Sequence, residues 1–67
     1  MIKVKLKELM WDFEVTAKEI SQKTGISENT LTHIKNKKHV NIELDTVDKL
    51  CRFFNCRIQD LLEFHKD

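Results

Sequence analysis

The sequence predicts an all-α fold, a compact domain of five short helices whose chain ends suit a two-stranded ribbon. Proline is absent and Gly25 is the one glycine in 67 residues, so little interrupts a helix. Leu, Ile, Lys and Glu recur at helical rather than alternating spacing. The length fits one domain, residues 1–67, near the lower limit of what a single hydrophobic core holds together. Such a chain buries only about 60% of the surface it exposes when unfolded, which leaves little volume for a walled catalytic cavity and favours a binding module.

Taken in order, Ile2 and Val4 alternate with Lys3 and Lys5, the period of a short strand. Leu6, Leu9, Met10 and Phe13 then fall at the spacing of one helix face and predict a helix over 6–13. Thr16 followed three residues later by Glu19 reads as a capping box. It opens a second helix with Ala17, Ile20, Ser21 and Thr24 inward and Gly25 as its left-handed stop. Ile26 plugs the corner and Ser27 caps a third helix, about 27–36, with Leu31 and Ile34 inside. After an extended Val40 to Ile42, the residues Leu44, Val47, Leu50, Cys51 and Phe54 mark a fourth helix that Asn55 terminates. A last short helix, about 58–62, turns Ile58, Leu61 and Leu62 onto the core, and Phe64 falls in an extended tail able to pair with Ile2 and Val4.

No run of about 18 apolar residues is long enough to span a membrane, and the amino terminus has no basic stretch leading into an apolar core, so a cytoplasmic protein is expected. Cys51 and Cys56 are then expected as buried free thiols, and neither they nor His33, His39 and His65 have the spacing of a zinc site. No nucleophile stands beside a base at a recognisable spacing and there is no phosphate-cradling glycine loop, so neither an enzyme nor a cofactor is expected. The formal charge of +1 hides an asymmetry: residues 1–42 hold eight Lys against Glu8, Asp12, Glu14, Glu19 and Glu28, whereas residues 43–67 are net acidic. On the third helix the outward residues Glu28, Asn29, Thr32, His33, Lys35 and Asn36 are mediocre helix formers in large part, but capable hydrogen-bonders.

The run from Thr16 through Gly25 and Ser27 to Ile34 resembles the helix-turn-helix of the Cro and lambda-repressor class, the xenobiotic response element family. The five-helix order, the Thr46–Cys51 pattern and the 55–62 ending extend that likeness over most of the chain. The resemblance implies a lambda-repressor-like domain with its helix-turn-helix at about 16–36, a sequence-specific repressor-like regulator of transcription whose partner is double-stranded DNA. Its third helix would enter the major groove, about 12 Å wide. Carried over by position, Glu28, Asn29, Thr32 and His33 would touch base edges, Asn29 suiting adenine and Glu28 the amino group of cytosine. Thr16, Ser27, Thr30, Lys35, Lys37 and Lys38 would touch the DNA backbone.

Two residues depart from the family pattern: Ala17, where many members have a glutamine that reaches the backbone, and Glu28, whose carboxylate repels a misplaced phosphate. A module this small makes few base contacts, so a homodimer on two half-sites about one helical turn apart is expected, with no small-molecule effector evident. Trp11 and Phe13 stand where the family is often polar, so at least one should face outward, packing locally or against a second copy. A protein-interaction adapter or antitoxin-like partner on the same fold, with weak or no DNA binding, is the alternative that Ala17, Glu28 and the small net charge favour.

Overall fold

The computed structural model describes residues 1–36 and 41–66. The element order is β1 (Ile2–Val4), α1 (Leu6–Phe13), α2 (Ala17–Thr24), α3 (Glu28–Asn36), α4 (Leu44–Phe54), α5 (Ile58–Leu61) and β2 (Leu62–Phe64). Each helix contributes to one core, which is sealed by Leu6, Leu9 and Met10 of α1, Ile20 of α2, Leu31 and Ile34 of α3, Val47, Leu50 and Phe54 of α4, and Leu61 of α5. Ile26, in the turn between α2 and α3, is buried with them. Burial of these side chains, at about 1.5–3 kcal/mol each, is the main force holding such short helices in place, since helices of one to three turns are marginal alone.

The helix ends follow from local chemistry. Thr16 accepts the N–H of Glu19 at 3.2 Å and starts α2, and Gly25 ends it at φ 81° with its N–H on the Ser21 carbonyl. A Cβ at Gly25 would meet nothing within 4 Å, so the positive φ alone calls for glycine there. Thr24 ties the turn together, its Oγ1 donating to the Ile20 carbonyl at 2.7 Å and accepting the Ile26 N–H at 3.2 Å. Asn55 ends α4 at φ 52°, as the sequence suggests. Glu14 does the same for α1 at φ 53°, a position where the sequence offered no glycine or asparagine as a cue.

The chain ends pair as an antiparallel ribbon with Ile2 opposite Phe64, Lys3 opposite Glu63 and Val4 opposite Leu62. Val4 and Leu62 pack against the core. The Met1 and His65 main chains exchange bonds of 2.7 and 2.8 Å, and Lys5 N–H donates to the Leu61 carbonyl at 2.6 Å.

Three expectations need correction. Leu44, expected on the inner stripe of α4, is 81% exposed. It is the first residue of the helix, one turn before Val47, where the stripe runs past its neighbours; Ile42 packs against the core from the preceding segment instead. Ile58 is 53% exposed because α5 is a single turn and seats only Leu61 fully, while Leu62 already belongs to β2. Cys51 and Cys56 are free but half-buried rather than sealed. Partial burial, the neighbouring Cys51 and the Asp60 carboxylate push the Cys56 thiol up, away from its reactive thiolate form. The expected extended segment begins at Val40, which lies outside the described residues, as do His39 and Asp67.

Candidate nucleic-acid interface

The site begins with the capping of α3. Ser27 Oγ accepts the Thr30 N–H at 3.1 Å and donates its own proton to Thr30 Oγ1 at 2.8 Å, which sets the start of the helix beside the tight turn at Gly25. With Leu31 and Ile34 buried, the geometry of 3.6 residues per turn decides where the remaining side chains lie. Asn29, Thr32, His33 and Asn36 fall on the side opposite the buried pair and are all exposed. They form a polar strip along α3 with donors and acceptors free for an external partner.

The flanks differ from that strip. Glu28 lies toward the same side as Lys35, which is half-buried in a groove also lined by Lys7, Met10, Trp11, Glu14 and Val15. Thr30 lies on the other flank, where it joins Ser27 and His33 in a groove against Asn41, Glu43, Asp45, Thr46 and Lys49. Of the residues expected at base edges, the structure therefore gathers Asn29, Thr32 and His33 on one strip and leaves Glu28 at its margin. Asn36 completes the strip, a residue that its outward position on the sequence already marked but that was not singled out for contact.

The hydroxyls are also unequal. Ser27 has committed its proton to Thr30, whereas Thr30 and Thr16 accept bonds and keep their own protons for another acceptor. The first N–H groups of α2, at Ala17 and Lys18, have no acceptor earlier in the helix and point out with the positive end of its dipole beside the Thr16 hydroxyl. Lys37 and Lys38, expected on the backbone, lie outside the described residues.

Ion pairing separates the cations into two groups. Lys3 pairs with Glu8 at 3.7 Å, Lys5 with Glu63 at 3.7 Å, Lys49 with Asp45 at 3.2 Å and Arg52 with Asp48 at 3.0 Å. Among the described residues Arg57 and Lys66, beyond α4, have no carboxylate within pairing distance, and neither do Lys7, Lys18, Lys23 and Lys35. These four lie on α1, α2 and α3. Lys7, Lys18 and Lys23 were not singled out from the sequence, because a lysine's type and spacing say nothing about whether a carboxylate will reach it in the fold. The exposed face of α1 adds Trp11, 83% exposed, while Phe13 turns back and meets Phe54 edge to face at 5.1 Å.

Comparison with known proteins gives a consistent picture. A family model described as the Cro/C1-type helix-turn-helix DNA-binding domain matches residues 5–67. The chain is 32% identical over 54 residues to YozG of Bacillus subtilis strain 168, described as an uncharacterized helix-turn-helix-type transcriptional regulator; the match covers 81% of this chain and 64% of that protein. This chain therefore spans just under two thirds of that relative's length. It is 26% identical over 66 residues to an uncharacterized helix-turn-helix-type transcriptional regulator of Archaeoglobus fulgidus, covering 98% of this chain and 92% of that one. In fold it is similar to a crystal structure of a candidate DNA-binding protein from Bacteroides fragilis, with a TM-score of 0.81 at 21% identity, covering 94% of this chain and all of the other.

Proposed function

The chain belongs to the Cro/C1-type helix-turn-helix DNA-binding domain family, and from that premise we propose that it works as a sequence-specific repressor of transcription in the cytoplasm. In this reading α3 enters the major groove and Asn29, Thr32 and His33 read base edges, with Asn36 at the far end of the strip. Asn29 presents an amide able to pair bidentately with adenine, and Glu28, at the margin, accepts from cytosine where the groove brings one near. Thr16, the open N–H groups at the start of α2 and Lys18 take one phosphate, and Thr30, Lys35, Lys37 and Lys38 take others. Ser27 serves them by holding Thr30 in place.

The observation that supports this most is the state of the described cations: Lys7, Lys18, Lys23 and Lys35 on α1, α2 and α3 have no carboxylate within pairing distance, while Lys3, Lys5 and both cations of α4 reach one. Unpaired lysines that reach phosphates displace the cations condensed on duplex DNA, a large source of affinity for it. Two copies on a two-fold operator supply enough base contacts for useful specificity, because each good bidentate contact discriminates by about 1–3 kcal/mol.

Selection of bound sequences from a random duplex pool, followed by titration of the best site at two salt concentrations, tests the proposal. An enriched palindrome with affinity well above that for bulk DNA is the expected result. An unenriched pool would overturn it in favour of the adapter reading, for which the exposed Trp11 on α1 is the structural support.

A further inference from the structure

We infer that Cys51 and Cys56 are an oxidation site, a thiol pair that a neutral hydroperoxide closes into a reversible disulfide within one chain, locking the end of α4 to the entry of α5. The pair stands apart from the DNA reading, since neither cysteine belongs to α1, α2 or α3. Its geometry comes from the way α4 stops. With Asn55 left-handed, Cys56 N–H donates to the Cys51 carbonyl at 3.0 Å and Asn55 N–H to the Arg52 carbonyl at 3.3 Å, the paired bonds of a helix end that brings the side chains of its outermost two residues together. A direct main-chain bond also keeps the two Cα atoms within about 7 Å, the limit beyond which a disulfide does not close. The end of α1 is built the same way, with Glu14 left-handed, Glu14 N–H on the Trp11 carbonyl and Val15 N–H on the Met10 carbonyl. There the paired positions hold Met10 and Val15, so packing at such an end asks only for apolar side chains. In α4 both positions carry a free thiol instead, each half-buried and within reach of the other.

Cys56 is the sulfur that an oxidant meets first, because it lines an open groove that α1 shares with the α4–α5 junction. The charged residues of that groove are Glu8, Asp12 and Asp60 against Lys5, an acidic balance that disfavours anionic oxidants and admits a neutral peroxide. The Cys56 thiolate attacks one peroxide oxygen, the O–O bond breaks, hydroxide leaves and Cys56 becomes a sulfenic acid. The Cys51 thiolate then attacks that sulfur and expels its oxygen as a second hydroxide. The two thiol protons convert both hydroxides to water, so hydrogen peroxide is reduced to two waters as two thiols are oxidised to one disulfide. A small-molecule thiol reverses the bond by exchange. Burial, the charge of Cys51 and a side-chain hydrogen bond to it raise the Cys56 thiol, so the resting chain holds little thiolate and the pair stays reduced until peroxide accumulates. Disulfides of reducing compartments are commonly transient and redox-sensing in this way. The bond closes over Phe54, which is buried in the core, and leaves α3 and its polar strip untouched.

The test is treatment of the reduced full chain with hydrogen peroxide, followed by intact mass, thiol titration and thermal melting. Both thiols should disappear together, in a single chain lighter by two hydrogens, and the melting midpoint should rise by about 4 °C or more. Dithiothreitol should restore the starting mass and midpoint. In Cys51→Ser the oxidation should stop at a sulfenic acid on Cys56 that dimedone traps, whereas Cys56→Ser should yield far less of the trapped adduct. Thiols lost one at a time, as sulfinic acid or as cross-links between chains, overturn the inference, and so does a midpoint that does not move when the bond forms. The unmodified chain carries these readouts, so they decide the matter even where a serine variant fails to fold.

Discussion

The α2–α3 half of this protein and the surface of α4 are both rich in charge, yet they use it in opposite ways. On α4 each cation stands four residues after an aspartate and reaches it, Lys49 to Asp45 and Arg52 to Asp48. On α2 Lys23 stands four residues after Glu19, the favourable order for a helix pair, and the two are not within ion-pair distance. The surface of α4 is electrostatically self-sufficient, whereas α2 and α3 hold cations and amides without internal partners. A surface selected only for solubility and helix content has reason to resemble the first, and a surface kept available for an anionic partner has reason to resemble the second.

The largest effect expected is one that abolishes the contrast altogether. Leu31→Ala removes a fully buried side chain from the helix that displays the polar strip, and should cost about 2–5 kcal/mol in urea unfolding, enough to loosen α3 from α1 and α2. Retention of full stability would mean that α3 is held by something other than its core contacts. Next comes Asn29→Ala, which leaves the core untouched and should lower discrimination at one base pair by about 1–3 kcal/mol when site preference is measured by competition. An unchanged preference moves the reading of bases to other residues on the strip.

Glu14→Gly should act in the other direction. Its φ of 53° is a conformation that glycine takes without the Cβ clash, so the variant is expected to gain up to about 1 kcal/mol in the melting or urea midpoint, with DNA affinity unaltered. The smallest effects sharpen the comparison most. Lys18→Ala should lessen the slope of log affinity against log salt by about 0.9 for each copy bound, and Lys49→Ala, on the self-paired side, should leave that slope where it was. Equal slopes for the two variants would erase the distinction drawn between the two surfaces.

Much of this was legible from residue types alone. The capping pattern at Thr16, the stop at Gly25 and the cap at Ser27 are local chemistry in which one side chain satisfies one main-chain group, and they located the helix-turn-helix to within a residue. The alternation at Ile2 and Val4 likewise announced β1 and its pairing with the far end. Leu44 and Ile58 misled because periodicity reports which side of a helix is apolar, not where along its length the neighbouring helices stop. Glu14 was unforeseen because its left-handed turn is imposed by Val15, which packs against the core and returns its N–H to the Met10 carbonyl, rather than preferred by the residue itself.

By itself, then, the sequence determined the helices, their order and the polar strip on α3, because hydrophobic period and capping act over a few residues and need no knowledge of distant partners. Only the tertiary structure decided which lysines are neutralised, that Glu28 stands at the margin of the strip, that Ser27 has given its proton to Thr30, and that Phe64 and Ile2 share an uncovered face. Each of those depends on distances between side chains brought together by burial of the common core, and a linear order of residues does not contain them.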